Sequence, residues 1–138
     1  MYPEHLVVPM KEELTENGFT EMLTADQVEN TLTAAGTTLV MINSVCGCSA
    51  GTARPGILMA VQNAEHKPQN LTTSFAGFDV DAVNQIRKHL MPYPPSSPAI
   101  ALFKDGQLVH MIERHMIEGR SAEMIAHNLI GAFDTHCN

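Results

Sequence analysis

The run Thr37-Thr38-Leu39-Val40-Met41-Ile42-Asn43 constrains this chain most, because it is β-prone without alternating between apolar and polar residues. A strand with one wet face alternates; a continuous apolar run needs cover on both faces, as a strand inside an α/β layered fold has. The run leads straight into Cys46-Gly47-Cys48. Beyond the cysteines, Ala53, Ile57, Ala60, Val61 and Ala64 share one helical face, and Pro55 is expected to kink that helix. The two cysteines therefore stand where a buried strand turns into a helix.

The remaining elements follow from local signals. Residues 1–23 are mixed and polar, with Glu12, Glu13 and Glu16 read as the solvated face of a short helix. Thr24, with Gln27 in the capping-box position, starts a helix through about Ala35 that Gly36 ends. Leu71 to Phe78 reads as a second strand. Asp79 or Asp81 then caps a helix carrying Val83, Ile86 and Leu90, a unit expected to be parallel and right-handed. Residues 92–98 hold four prolines and form a loop. Ala99 to Phe103 and Gln107 to Ile112 make a hairpin through Asp105-Gly106, and Ser121 opens a last amphipathic helix ending near His136.

No repeat or linker divides the 138 residues, and with 44% hydrophobic residues the chain can bury a core without a metal or a disulfide staple. The expectation is one domain over residues 1–138: an α/β three-layer sandwich with a central mixed sheet flanked by helices. Fifteen acidic residues against eight basic ones give a net charge of -7. Without a Lys/Arg cluster to release counterions, nucleic-acid binding is not expected. No apolar run approaches the length of a membrane span, and the opening MYPEHLVVPMKEEL lacks a secretory pattern, so no membrane or export role is expected. Three cysteines, two of them one residue apart, do not form an extracellular disulfide framework; the cytoplasm is the expected compartment.

The chemistry lies in Cys46-Gly47-Cys48. A thiol attacks as its thiolate, and a helix start supplies unpaired N–H groups and the positive end of the macrodipole. Cys46, first of the pair, is the candidate attacking thiol. Cys48 is near enough to attack the mixed disulfide that Cys46 would form, and so to resolve it. Gly47 lets the backbone bend, and the small ring of a Cys-x-Cys disulfide is expected to be reduced more readily than a Cys-x-x-Cys one. Pro98 directly precedes a strand, the position at which thioredoxin-like proteins carry a cis-proline that shapes the substrate groove beside the cysteines. Gly47 and Pro98 are the groove candidates.

Other residues carry blander readings. Cys137 is read as an accessory thiol on a helix end ahead of a role in redox relay or intermolecular pairing. Arg54 has two readings of equal weight: a cation that favours a nearby thiolate or binds an acidic thiol ligand, or, since eight positions on a continuous helix would put it well away from Cys46, a surface or structural arginine. Glu113, Arg114 and His115 read as solvated or structural. The seven histidines show no metal-ligand spacing, and the nine methionines read as core filler.

The stretch Asn43-Ser44-Val45-Cys46-Gly47-Cys48-Ser49-Ala50-Gly51-Thr52-Ala53-Arg54-Pro55 resembles the active-site signature of the bacilliredoxin family. The N-terminal MYPEHLVVPMKEEL, Ser97-Pro98, the His115…Ile117-Glu118-Gly119 segment and the terminal Phe133…His136-Cys137 match its pattern as well. The resemblance implies a thioredoxin fold and removal of bacillithiol, a low-molecular-weight thiol, from S-bacillithiolated client proteins. It also implies weak disulfide isomerase activity, attacking and resolving roles for Cys46 and Cys48, and bacillithiol as a co-substrate with no bound cofactor. Two rivals stand beside it: a metal module in which Cys46 and Cys48 with Cys137 or a histidine hold a soft metal, and an interaction domain without turnover.

Overall fold

The apolar run at 37–43 becomes the middle strand of the sheet and is buried at every position in the computed structural model, which describes Met1–Asn138. In chain order the elements are α1 (Glu4–Thr15), β1 (Thr20–Glu21), α2 (Ala25–Leu32), β2 (Thr37–Asn43), a π-helical turn (Ser49–Ala53) and α3 (Arg54–Asn63). There follow β3 (Asn70–Phe75), α4 (Val80–Leu90), β4 (Ala99–Lys104), β5 (Gln107–Ile112), α5 (Arg114–Ile117) and α6 (Ala122–His136). The sheet runs β1-β3-β2-β4-β5, with β2 parallel to β3 and antiparallel to β4.

Alternate residues of β2 feed two separate cores. Leu39 and Met41 pack with Ile57 of α3, Leu14 of α1 and Leu129 and Phe133 of α6. Val40 and Ile42 pack with Val28 and Leu32 of α2 and Val83, Ile86 and Leu90 of α4. Each such side chain contributes about 1.5–3 kcal/mol when fully buried. The apolar stretch Leu39–Ile42 thus serves both faces of a covered sheet, and the architecture is the expected three-layer α/β sandwich.

The local signals form as read, with shifts that have physical causes. The Thr24 capping box is present, Gln27 N donating to Thr24 Oγ1 at 3.1 Å, although the helix stops at Leu32, short of Ala35. Gly36, at φ 93°, turns the chain into β2 and donates its N–H to Asp105 of the opposite hairpin turn. That turn has Asp105 and Gly106 both at positive φ, as a tight hairpin demands. Ser121 caps α6 by accepting from Met124 N.

Three expectations need correction. Asp79 precedes α4 but does not cap it: its carboxylate accepts from Phe75 N at 2.9 Å and pairs with Lys11 of α1. The expected kinked helix is instead a π-helical turn, in which Arg54 N bonds Ser49 O, followed by α3. Pro55 sits in the first turn of α3, where a missing N–H costs least, and its inability to donate one turn back leaves the wider turn before it. The 1–23 segment holds more than a solvated helix, since Val7 and Leu14 of α1 are buried and β1 adds a parallel edge to β3.

Candidate active site

The site begins where β2 runs out. Asn43 is buried and its Oδ1 accepts from three donors: Ser44 N at 2.8 Å, Ser49 Oγ at 3.1 Å and Arg54 Nη1 at 2.9 Å. Its Nδ2 donates to Met10 O of α1. This amide ties the strand end, the cysteine loop, the π-helical turn and α1 to one point, and both its oxygen and its nitrogen have partners, as a buried polar group requires.

Cys46 and Cys48 are both half-buried and joined by a disulfide, with their Cα atoms 5.4 Å apart. The Cys46 N–H donates to Ser44 Oγ at 3.3 Å, and its carbonyl accepts from Ser49 N and Ala50 N, so Cys46 stands at the start of the helical segment. The pair thus occupies the strand-to-helix turn that the sequence indicates. Gly47 is exposed, has no positive φ, and a Cβ there would meet nothing. Neither conformation nor packing demands glycine at 47; it leaves open space beside the disulfide.

Pro98 is buried, and the Ser97–Pro98 peptide is cis. Because Ile42 pairs with Ala99, the antiparallel register sets Pro98 beside Asn43, at the same sheet end as the cysteines. Arg114 holds this approach: its Nη1 donates to Ser97 O at 3.2 Å and its N–H to Ser96 Oγ, while Nε pairs with Glu118. On the other side, Thr52 Oγ1 of the π-helical turn donates to Arg120 O. His115 is 72% exposed, consistent with a solvated group.

For Arg54 the structure removes the surface reading and the argument from helical rise. It is 1% exposed, and its Nη1 donates to Ser44 O at 2.8 Å, Asn43 Oδ1 and Ser49 Oγ. Its Nε lies 3.1 Å from Glu13 Oε2, an ion pair whose N–H does not point along a hydrogen-bond line. The expected distance assumed a continuous α-helix and ignored the side chain's reach; the π-helical turn and the long side chain bring the guanidinium back under the cysteine loop. A buried strand followed by two cysteines and an arginine gives no periodic signal for such a fold-back.

Cys137 stands at the far end of β2. Burial raises its thiol above the usual value, opposed by a hydrogen bond from Thr37 and the charge of Lys104. Thr37 is the first residue of β2 and the cysteine pair follows the last; seven residues at strand rise put them roughly 20 Å apart. Cys137 therefore does not join Cys46 and Cys48 in a metal set, and no group of three His, Cys, Asp or Glu side chains is placed to hold an ion. No helix is long and apolar enough to cross a membrane.

This geometry has known counterparts. The fold is similar to the thioredoxin of Malassezia sympodialis, with a TM-score of 0.59 at 16% identity over 87% of this chain and 91% of that one. It is similar also to mitochondrial thioredoxin 3 of Saccharomyces cerevisiae in its oxidised form, at 0.58 and 18% over 89% and 98%. In sequence, residues 2–137 match the family described as disulphide isomerase. A bacilliredoxin of Cytophaga hutchinsonii is 57% identical over 97% of this chain and 98% of its own length. One from Halalkalibacterium halodurans is 48% identical over 99% and 94%. A thioredoxin fold whose sequence follows these relatives almost end to end is that of a thiol-disulfide oxidoreductase, and the chain belongs to the bacilliredoxin family.

Proposed function

We propose that this oxidoreductase removes bacillithiol from proteins that carry it as a mixed disulfide, with Cys46 attacking and Cys48, or a second bacillithiol, resolving. The observation that carries the assignment of roles is the placement of Cys46: half-exposed, first after a buried strand, and at the start of a helical segment. Backbone N–H groups at such a position favour a sulfur anion. The family's bacilliredoxin relatives support bacillithiol as the thiol concerned.

In the first exchange, the Cys46 thiolate attacks the bacillithiol sulfur of the client's mixed disulfide. The Cys46–bacillithiol bond forms, the client sulfur leaves as a thiolate and takes a proton from solvent. In the second, the Cys48 thiolate attacks the Cys46 sulfur, releases bacillithiol and leaves the Cys46–Cys48 disulfide, the oxidised form described above. Two external thiols, oxidised together to their own disulfide, then supply the two electrons and two protons that restore the dithiol. If a second bacillithiol attacks instead, the product is bacillithiol disulfide and Cys48 is bypassed. Gly47 and Pro98 border the groove where the client docks, and the cytoplasm is the reducing compartment this cycle needs.

A second reading, protein disulfide isomerisation by the same pair, is favoured by the description of the family that residues 2–137 match. Mass measurement on Cys48→Ser protein mixed with an S-bacillithiolated client separates the two. The expected product is Cys46 carrying the mass of bacillithiol and a free client thiol. A client–Cys46 adduct, together with rescue of scrambled disulfides without bacillithiol, would favour isomerisation; no adduct on Cys46 would remove the assignment.

A further inference from the structure

Arg54 is the largest fully buried side chain of the molecule, and its Nη1 bonds Ser44 O and Ser49 Oγ, the residues that flank the cysteine loop on either side. A guanidinium stays charged, and at 1% exposure it has lost its water. Three of its contacts are neutral acceptors: Asn43 Oδ1, Ser44 O and Ser49 Oγ. Its single countercharge is Glu13, which belongs to α1 and whose side chain is 46% exposed. Water screens the carboxylate far more than it screens the arginine, so the pair does not cancel inside the loop. The same Ser44 whose carbonyl accepts from Arg54 takes the Cys46 N–H on its hydroxyl.

We propose that Arg54, moderated by Glu13, is a positioning residue that makes Cys46 acidic by setting a positive field beneath it. The proposal rests on Cys46 being the attacking thiol. Reduction of the Cys46–Cys48 disulfide by two external thiols, which become a disulfide and give up two electrons, gives with uptake of one proton the Cys46 thiolate and the Cys48 thiol. A fixed cation below Cys46 favours that product and speeds attack at neutral pH. Asn43 and Ser49 hold the guanidinium in place, and Glu13 sets how much of its charge is left uncompensated.

An electrostatic role and a merely structural one differ in sign. Removing Arg54's charge should make Cys46 less acidic, whereas removing Glu13's should make it more acidic; loosening the loop from either side would move Cys46 the same way in both. The measurement is the alkylation rate of each cysteine in the reduced full-length protein against pH, read by peptide mass, with Cys137 as the distant internal reference. Arg54→Gln is expected to slow Cys46 about tenfold at neutral pH, and Arg54→Lys to recover most of that loss. Glu13→Gln is expected to speed Cys46 about two- to threefold, with Cys137 unmoved throughout. Slowing in both Arg54→Gln and Glu13→Gln, or no change in Glu13→Gln, would overturn the proposal. If Arg54→Gln fails to fold, seen as Cys137 becoming freely reactive, the sign in Glu13→Gln decides alone. A parent protein in which Cys46 reacts no faster than Cys48 would instead defeat the assignment of the attacking thiol.

Discussion

The two ends of β2 hold this chain's three cysteines in opposite surroundings. At the carboxyl end, Cys46 and Cys48 sit over a polar hub of Asn43, Ser44, Ser49 and Arg54, with hydrogen bonds of 2.8–3.3 Å throughout. At the amino end, burial pushes the Cys137 thiol up from 9.0, opposed by Thr37 and the charge of Lys104. Both sites put sulfur beside the same strand. All three sulfurs are half-buried, so the difference between the two ends lies in the donors and charges fixed around each.

The largest effect that would break this contrast is on turnover. On the proposed reading, Cys46→Ser abolishes release of bacillithiol from a client, and Cys48→Ser keeps it with abundant bacillithiol but stalls without. Cys137→Ser changes the rate by no more than about twofold. Client thiol release, followed by mass, measures all three; a loss in Cys137→Ser comparable with that in Cys46→Ser would erase the distinction between the ends.

Next in size is the packing that holds both ends, since α3 starts at Arg54 and α6 leads into Cys137. Gly56 of α3 is the point of closest approach: a Cβ there would lie 2.8 Å from Ile125 Cβ and 3.0 Å from Ala122 O, a backbone atom that cannot move aside. Gly56→Ala is expected to cost about 1–3 kcal/mol, read as a lower urea midpoint at unchanged slope. An unchanged midpoint would show that the two helices separate easily.

A smaller and cleaner separation comes from α2, on the sheet face away from α3 and α6. Thr24→Ala removes the cap and is expected to cost about 1 kcal/mol while leaving the alkylation rates of all three cysteines alone. A changed Cys46 rate would mean the two faces are coupled through the sheet.

The smallest effect belongs to Cys137. Its folded-state value is raised, so the unfolded chain loses the proton first; this thiol's stability is fully present below about pH 9.0 and is lost as pH rises through the folded value. Cys137→Ala should flatten that alkaline arm of the stability curve and leave it unchanged near neutrality. A neutral-pH change larger than the alkaline one would point to lost packing instead.

What the sequence by itself determined was carried by signals only a few residues long, although not every such signal held. The apolar run at 37–43 called for two covered faces, Thr24 with Gln27 and Ser121 marked helix starts, and Asp105-Gly106 marked the hairpin. The position of Cys46-Gly47-Cys48 at the end of that run placed the cysteines at a strand-to-helix turn. Only the tertiary structure decided the rest. Asp79 looked like a cap, but Lys11, 68 positions away, and the Phe75 N–H claim its carboxylate. The two residues of β1 are too few to show a period, and they form a strand because the edge of β3 is there to pair with. One of the two readings of Arg54 set it far from the cysteines because helical rise was counted along a regular helix. Its guanidinium instead closes on Asn43, 11 positions back, and on Glu13 of α1. Periodicity and caps report contacts within a turn or two, whereas the partner of a buried charge is fixed only when distant elements pack and take away its water.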